Sequence, residues 1–267
     1  MMNQESLYPL AQRQTNTFSL MGIPIHRITV RDLETFIENV FKEGSKAIIA
    51  YVNIHGMNLA YEYPWLRDFF QEVQVVICDG DGVRWGIKLL GGDPPPKITF
   101  TRYIWNIAEF CERHHYRIFL LGGKSGVAQE AAEQIKRKYP RLEIAGCYHG
   151  YFDKDGEESE KLIMRLNVIQ PDVLIVGFGM PAQEKWLYQN WKRIHAHLFL
   201  PVGAALDYVS GRMKNVPSWM IRWHMEWLFR LAEEPVRLFS RYVFGIPYFF
   251  WRICLEKRRR SERGFLR

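Results

Sequence analysis

The hydrophobic positions of this chain alternate between short unbroken apolar runs and longer stretches with helical spacing. The runs typical of buried strands are KAIIAYVN (46–53), VQVVICDG (73–80), RIFLLGG (117–123) and DVLIVGFGMP (172–181). Each is followed by a stretch whose pattern predicts a helix. Unbroken apolar strands separated by helices are typical of parallel sheets covered on both faces. The pattern therefore predicts an α/β core, Rossmann-like in the broad sense, with a mainly parallel sheet.

The segments before the first of these strands do not have this pattern. Residues 1–16 are polar and predict a flexible N-terminus, and the stretch around Gly22 and Pro24 predicts a short strand pair. A helix is expected from an N-cap at Thr29 to a stop at Gly44, and another from about Gly56 to Phe70. The composition changes after NVPSW (215–219), which divides the chain into a core over 17–217 and an appendage over 218–267.

Composition restricts the class of protein. With 48% hydrophobic and 24% charged residues over 267 positions, the chain is globular rather than disordered. Its four cysteines show no C-x-x-C spacing, which favours a reduced, cytosolic compartment without a zinc cluster. We expect no export signal and no membrane-spanning helix, because the N-terminus lacks a basic-then-apolar pattern and no long uncharged apolar run occurs.

The net charge of +7 is concentrated at the C-terminal end. From Arg222 onward there are eleven basic and five acidic residues, interleaved with many aromatic ones, on short helices interrupted at Pro235 and Pro247. Arg230, Arg237 and Arg241 fall roughly on one side of these helices. Aromatic residues flanked by EKRRR (256–260) favour the surface of an anionic membrane. The alternatives are a helical hairpin packed on the core or a nucleic-acid patch, and the latter is disfavoured because exposed Trp, Phe, Ile and Leu side chains are costly.

Candidate chemistry lies just after the apolar runs, because open parallel sheets bind ligands beyond the carboxyl ends of their strands. This rule selects Asn53, Asp79, Asp81, Asp207 and two glycine-rich loops, 122–126 and 177–183. The first loop ends in Gly-Lys-Ser but lacks the earlier glycine of a P-loop, since Ile118 stands there. Its helix N-terminus offers N–H groups to a phosphate, although tight packing of the turn explains the glycines equally well.

The Asp79-Gly80-Asp81 sequence admits three interpretations. It matches the D-x-D pattern with which many nucleotide-sugar transferases hold a divalent cation, although two carboxylates do not specify a cation alone. A single aspartate in a glycine turn suits a catalytic base, because glycines let a substrate approach closely. A purely structural turn is the third possibility.

Several stretches together resemble the WecG/TagA/CpsF family of glycosyltransferases. They are CDGDGV (78–83), FLLGGKSGVAQEAAEQIKRKYPRLEIAGCYHGYF (119–152), PDVLIVGFGMPAQEKWL (171–187), VGAALDYVSGRMKNVPSWM (202–220) and MEWLFRLAEEPVRLFSRY (225–242). The resemblance implies an enzyme at the cytoplasmic face of the cell membrane. Such enzymes transfer a sugar, with inversion, from a UDP-sugar to a polyprenyl-diphosphate-linked saccharide in cell-surface polysaccharide synthesis.

The resemblance also implies roles for individual residues. Asp79 falls on the family's proposed catalytic base, and Asp81 on a variable position of the same motif. Asn53 and Gln183 fall on polar pocket residues, while Arg230 and Arg237, and more loosely Arg241, match arginines that neutralise the leaving diphosphate. The remaining substrate-binding candidates are Gly122, Gly123, Ser125, Gly126 and Gly179.

One departure concerns the loop after the first motif, where the family usually carries an arginine and this chain has PPPKITFTRY (94–103). Lys97 and Arg102 are the candidates to replace that arginine. Neither a metal ion nor another cofactor is expected, nucleic acid is not an expected partner, and an oligomer that packs the appendage between subunits would help to complete the site. The alternatives are a metal-dependent D-x-D transferase and a non-catalytic, membrane-associated nucleotide-binding module. A nucleotide-dependent oxidoreductase lacks support, because no dinucleotide fingerprint is present.

Overall fold

The computed structural model describes residues 17–265, and side-chain environments through residue 262. A small antiparallel pair, β1 and β2, precedes a six-stranded sheet in which neighbouring strands are parallel and the order is β4-β3-β8-β7-β5-β6. The strands are β1 (Thr17–Leu20), β2 (Ile23–His26), β3 (Ala47–Val52), β4 (Val75–Cys78), β5 (Ile118–Gly122), β6 (Ile144–Tyr148), β7 (Val173–Gly177) and β8 (Leu198–Pro201). The predicted parallel α/β sheet and the predicted strand pair are both confirmed.

Helices cover both faces of this sheet. They are α1 (Val30–Lys42), α2 (Ile54–Glu62), α3 (Pro64–Glu72), α4 (Asp81–Leu89), α5 (Phe100–His114), α6 (Val127–Lys138), α7 (Glu157–Ile169), α8 (Ala182–Asn190), α9 (Ala205–Val209), α10 (Ser218–Arg222), α11 (Glu226–Glu233), α12 (Pro235–Val243) and α13 (Gly245–Phe265). A short 3₁₀ turn, Trp191–Arg193, follows α8.

Alternate strand residues point into two separate apolar layers. On β3, Ile49 and Tyr51 join the layer beneath α1, α5, α6 and α9, while Ile48 and Ala50 join the layer beneath α2, α3, α4, α7 and α8. Because both faces are covered, all six residues of β3 are buried. This explains why the strands read as unbroken apolar runs rather than as alternating ones.

Helix boundaries follow local chemistry. At the start of α1 the Thr29 hydroxyl accepts from the Asp32 N–H at 3.2 Å and the Asp32 carboxylate accepts from the Thr29 N–H at 2.9 Å, which forms a capping box. The single helix expected over 56–70 is wrong, because α2 ends at Glu62 and α3 begins at Pro64. Proline at the first helical position moves the preceding residue, Tyr63, out of the α region, with φ −113° and ψ 102°.

The last of the appendage helices α10 to α13 packs its apolar side chains against the core. Phe249 and Ile253 of α13 are buried at 0% and 1% exposure, and Gly86 of α4 allows this close approach. A Cβ on Gly86 would lie 2.9 Å from the Phe249 ring. The predicted interruptions near Pro235 and Pro247 are confirmed, since each proline lies in the first turn of its helix, where the missing N–H is tolerated.

A buried arginine fastens α13 to α2. The Arg252 guanidinium lies between the rings of Tyr61 and Tyr248, 3.8 and 4.0 Å from their centroids, and its Nη1 donates to Asn58 Oδ1 at 2.9 Å. No described helix is long and apolar enough to cross a membrane. The division at residue 217 into a core and an appendage stays a prediction.

Candidate active site

The candidate site lies at the carboxyl ends of β3 and β4, where Asn53 and Asp79 follow their strands. The Asp79 N–H donates to the Val52 carbonyl at 2.9 Å, which continues the ladder between the two strands by one residue. Asn53 caps α2, and its Oδ1 accepts from the Gly56 N–H at 3.0 Å. Gly80 has a φ of 118°, a conformation that favours glycine, and it turns the chain sharply into α4.

Two cavities meet at this edge of the sheet. The first, the α4 cavity, has a volume of about 450 Å³ and extends toward Trp85 on α4 and Trp227 on α11. The second, the β7–β8 cavity, has a volume of about 280 Å³ and extends toward the loops after those strands. The residues that line both are Asn53, His55, Asp79, Arg230, Arg241 and Tyr242. The core and the appendage therefore contribute to one site.

Asp79 has the environment of a base. Burial raises the pKa of its carboxyl above the ordinary value of 3.8, and this effect prevails over Arg230, a hydrogen bond with Thr99 and Lys97, all of which lower it. A carboxylate whose pKa is raised is a stronger base and accepts a proton more readily. Because Asp79 lines both cavities, it can reach a ligand in either one.

Asp81, two residues later, has the opposite environment. Its carboxylate accepts from Lys97 Nζ at 2.9 Å and from Arg84 Nη1 at 3.2 Å, and it lies 2.8 Å from His224 Nδ1. Burial works to raise the pKa of Asp81, but the hydrogen bonds from Lys97 and His224 outweigh it and the pKa is lowered. Cations already surround this carboxylate, so it is poorly placed to join Asp79 around a metal ion.

Lys97 and Arg102 meet an acidic residue of the appendage. Lys97 Nζ lies 2.9 Å from Glu226, and Arg102 Nη2 donates to the other oxygen of Glu226 at 2.8 Å. Lys97 thus bridges Asp81 and Glu226. Both cations that were predicted to replace the family arginine hold the appendage against the loop before α5. Neither of them lines the two active-site cavities.

The appendage arginines supply positive charge opposite Asp79. Arg230 lies 5.7 Å from the Tyr208 ring centroid, and its buried Nε has no hydrogen-bond partner. Burial lowers the pKa of Arg241, and the neighbouring charges of Arg230 and Arg237 act in the same direction. Arg237 is ion-paired with Glu234. Among the residues that the structure describes, no carboxylate forms an ion pair with Arg230 or Arg241, so both guanidinium groups can bind an anionic ligand.

Gly179 and Gln183 lie on the β7 side of the site. Gly179 lines the β7–β8 cavity with a φ of 85°. Gln183 is fully buried, and its Oε1 accepts from the N–H groups of Gly203 at 2.9 Å and Gly179 at 3.3 Å. It therefore holds the loops after β7 and β8 together and lies beneath the cavity rather than in its lining.

The glycine turn at 122–126 lies outside both cavities. A Cβ on Gly122 would lie 2.5 Å from the Gly177 carbonyl oxygen, and one on Gly123 would lie 2.4 Å from Val127. These glycines are thus required by close packing between β5 and β7 and at the start of α6. Gly126 has a φ of 87°, and the Ser125 side chain is exposed. The packing interpretation accounts for Gly122 and Gly123 without a bound anion.

Sequence reasoning missed several residues of the site. His55 lines both cavities, and burial, with Arg241 and Arg237, lowers its pKa to about 4, so the ring is neutral at pH 7. Its position three residues after the end of β3 is a signal that could have found it. Thr99 of the core and Glu226 and Tyr242 of the appendage gave no comparable signal, because tertiary contacts rather than the local pattern bring them to Asp79 or its cavities.

Among residues 17–265, no group of three or more His, Cys, Asp and Glu side chains is arranged to hold a metal ion. The absence of a metal from the reaction stays a prediction.

Comparison with known proteins adds a family and named relatives. A model described as the glycosyl transferase WecG/TagA/CpsF family matches residues 18–263. Proteins from Staphylococcus aureus strains MRSA252, MW2 and NCTC 8325 are each 24% identical over 254 residues, which cover 93% of this chain and 97% of theirs. All three are named N-acetylglucosaminyldiphosphoundecaprenol N-acetyl-beta-D-mannosaminyltransferase.

Proposed function

The chain belongs to the WecG/TagA/CpsF family of glycosyltransferases, and from this premise we propose that it transfers a hexose or N-acetylhexosamine from a UDP-sugar to a polyprenyl-diphosphate-linked saccharide. N-acetylmannosamine is the first candidate sugar, because the relatives are named for its transfer to an N-acetylglucosaminyl-diphospho-undecaprenol acceptor. The observation that carries the proposal is that Asp79 faces appendage arginines across cavities that they line together.

Asp79 acts as the general base. The acceptor hydroxyl gives its proton to the Asp79 carboxylate, and its oxygen forms a bond to the anomeric carbon of the donor sugar. The bond from that carbon to the diphosphate oxygen breaks, and UDP departs with the electron pair. Attack from the face opposite UDP inverts the anomeric carbon, which agrees with the β linkage in the relatives' names. The raised pKa of Asp79 favours the proton transfer.

The appendage arginines stabilise the departing group. UDP gains negative charge as it leaves, and guanidinium groups fixed beforehand lower the energy of that charge most effectively where water is largely excluded. Arg230 and Arg241 meet this requirement, because they line both cavities and are not ion-paired with a described carboxylate. The charge that a metal ion provides in D-x-D enzymes is here assigned to side chains of the appendage.

The surface of the appendage supports attachment to a membrane. Trp219, Trp223 and Phe244 are 58%, 72% and 67% exposed, which is costly for large apolar side chains in water. Lys257 and the arginines at 258–260 lie farther along α13. We assign this surface to the anionic, cytoplasmic face of the cell membrane, where a lipid-linked acceptor would be found. The proposed oligomer has no described contact to support it.

A panel of UDP-sugars, tested with polyprenyl-diphosphate saccharides and read by mass spectrometry, examines this proposal directly. We expect one sugar to be added to the acceptor saccharide, with release of UDP and with undiminished rate in EDTA. Loss of activity in EDTA, restored by a divalent cation, would support the metal-dependent alternative. Binding of UDP-sugar without transfer to any acceptor would instead support a non-catalytic module.

A further inference from the structure

A third cavity lies beside the two that contain Asp79. It has a volume of about 940 Å³ and runs between α2 and the helices α12 and α13. We call it the α2–α13 groove. His55 and Arg241 line this groove as well as both active-site cavities, and Arg237 is shared with the β7–β8 cavity. The groove is therefore continuous with the site at one end.

The other end of the groove is apolar and partly open. Its lining there includes Leu59 of α2 together with Val243, Phe244, Tyr248 and Trp251. These last four side chains are 42%, 67%, 46% and 52% exposed, so the mouth of the groove lies among uncovered apolar groups. Contiguous exposed apolar surface of this kind is typical of a binding surface for an apolar partner.

The charges of the groove are arranged asymmetrically. Arg237 and Arg241 lie at the end shared with the active site. Glu62 is the single carboxylate among the lining residues, and it lies 3.6 Å from the buried Arg252. In contrast, Asp79, Asp81 and Glu226 all line the α4 cavity. An anion with an apolar extension thus fits the groove, where cations lie at one end and exposed apolar side chains at the other.

We propose that the α2–α13 groove binds the first isoprene units of the polyprenyl acceptor, with the acceptor diphosphate at Arg237 and its saccharide directed toward Asp79, while Arg241 serves the diphosphate of UDP. This inference rests on the proposed function and specifies the site of one substrate. It commits to a lipid diphosphate, since cationic and apolar groups at opposite ends of one groove match the two parts of that molecule. The chain would leave through the mouth at Phe244 and Trp251 and continue into the bilayer.

Groove filling is the direct test. Ser240 is exposed and lines the groove, so Ser240→Trp places a large ring inside it without disturbing the core. Val236 lies on the same helix, is 97% exposed and does not line the groove, so Val236→Trp is the matched control. Each variant is assayed with two acceptors that carry the same diphosphate saccharide. One has a long prenyl chain and the other a short alkyl chain that ends before the apolar end of the groove.

We expect Ser240→Trp to raise KM for the prenyl acceptor about tenfold or more, and to leave KM for the short acceptor and for the UDP-sugar within twofold. Val236→Trp should leave all three within twofold. Equal KM values for the prenyl acceptor in wild type and Ser240→Trp would overturn the groove assignment. A parallel rise for both acceptors would also overturn it, because the effect would then not depend on the prenyl chain.

A photoreactive prenyl diphosphate saccharide provides a measurement on the unaltered protein. Crosslinks to peptides that contain Leu59 or residues 243–251 are expected. Crosslinks confined to Trp85 and Trp227 would place the chain in the α4 cavity and refute the groove. If wild type transfers no sugar to any lipid acceptor, the proposed function fails. If it transfers sugar while the groove variants behave like wild type, only this inference fails.

Discussion

Two turns at the carboxyl edge of the same sheet have nearly the same construction and different surroundings. Residues 79–82 follow β4 and lead into α4, while residues 122–126 follow β5 and lead into α6. Each has glycine at positive φ beside a helix N-terminus, at Gly80 in the first turn and at Gly122, Gly123 and Gly126 in the second. The first turn lines the active-site cavities and the second lines neither of them.

The difference comes from what lies over each turn. The arginines of α11 and α12 lie opposite the first turn and enclose space beside it. At the second, Gly122 packs against the Gly177 carbonyl, and Arg212 lies near Gly126 while it is ion-paired with Glu130. The carboxyl edge of a parallel sheet thus offers several possible sites. In this protein the proposed site lies at the turn where appendage residues enclose cavities.

Replacing the carboxylate of the first turn should have the largest effect. Asp79→Asn keeps the shape of the side chain but cannot accept the acceptor proton. We expect turnover to fall at least about a hundredfold, on the scale of lost general-base catalysis, with UDP-sugar affinity unchanged. Single-turnover rates and equilibrium binding of the UDP-sugar measure the two quantities separately. Turnover within threefold of wild type would show that Asp79 is not the base.

Removing the positive charge of Arg241 should have the next largest effect. Arg241→Gln keeps a polar side chain but removes the positive charge near the leaving diphosphate. We expect kcat to fall about ten- to a hundredfold, at or somewhat below the range for loss of one preorganised donor. Arg260→Gln on the exposed part of α13 is the control and should stay within twofold. Equal losses in the two variants would mean that general surface charge, rather than position, matters.

A substitution at Asp81 tests whether the two carboxylates of the first turn, Asp79 and Asp81, have different roles. Asp81→Asn weakens the ion pairs with Lys97 and Arg84 and the contact with His224, so the loop before α11 should dock less firmly. Partly buried bonds to charged groups contribute about 1.5–3 kcal/mol each, and Lys97 retains Glu226 as a partner. We expect kcat/KM to fall tenfold or less and proteolysis near residues 215–226 to accelerate. A loss as large as that of Asp79→Asn would assign Asp81 to the chemistry.

The second turn should tolerate a change in its one hydroxyl side chain. Ser125 is exposed and lines neither cavity, so Ser125→Ala is expected to leave kcat/KM and UDP-sugar affinity within twofold. Steady-state kinetics over a range of UDP-sugar concentrations provides the measurement. A tenfold rise in the UDP-sugar KM would show that this turn binds the nucleotide after all, and the contrast between the turns would no longer hold.

The sheet was predictable because burial on both faces leaves unbroken apolar runs, and the chain places such runs at β3, β4, β5 and β7. The junction between α2 and α3 was not predicted, because the apolar spacing continues across Pro64 and conceals the interruption. The rule that ligands lie beyond strand ends selected Asn53 and Asp79, and both line the two cavities. Gln183 satisfied the same rule, yet its amide oxygen accepts from backbone N–H groups beneath the cavity and its amide nitrogen donates to Glu184.

The sequence pattern did not predict contacts between segments that are distant along the chain. Lys97 was expected to bind substrate, but it bridges Asp81 to Glu226, 129 residues further along the chain. His55 and Tyr242 come together through the docking of the appendage, which no local periodicity encodes. The family resemblance nevertheless indicated Arg230 and Arg241. A family motif can identify such residues even though it does not show how the appendage docks.

The packing of Arg252 between Tyr61 and Tyr248 limits how far the protein can be truncated. A polypeptide terminated at residue 217 would lose Arg252, Phe249 and Ile253 together, and would leave the outer surfaces of α2 and α4 bare. Such a fragment would be prone to aggregate, so its inactivity would say nothing about catalysis. The fold depends on the same terminal helix to which we assign membrane contact, and only single substitutions at its outer surface can separate the two.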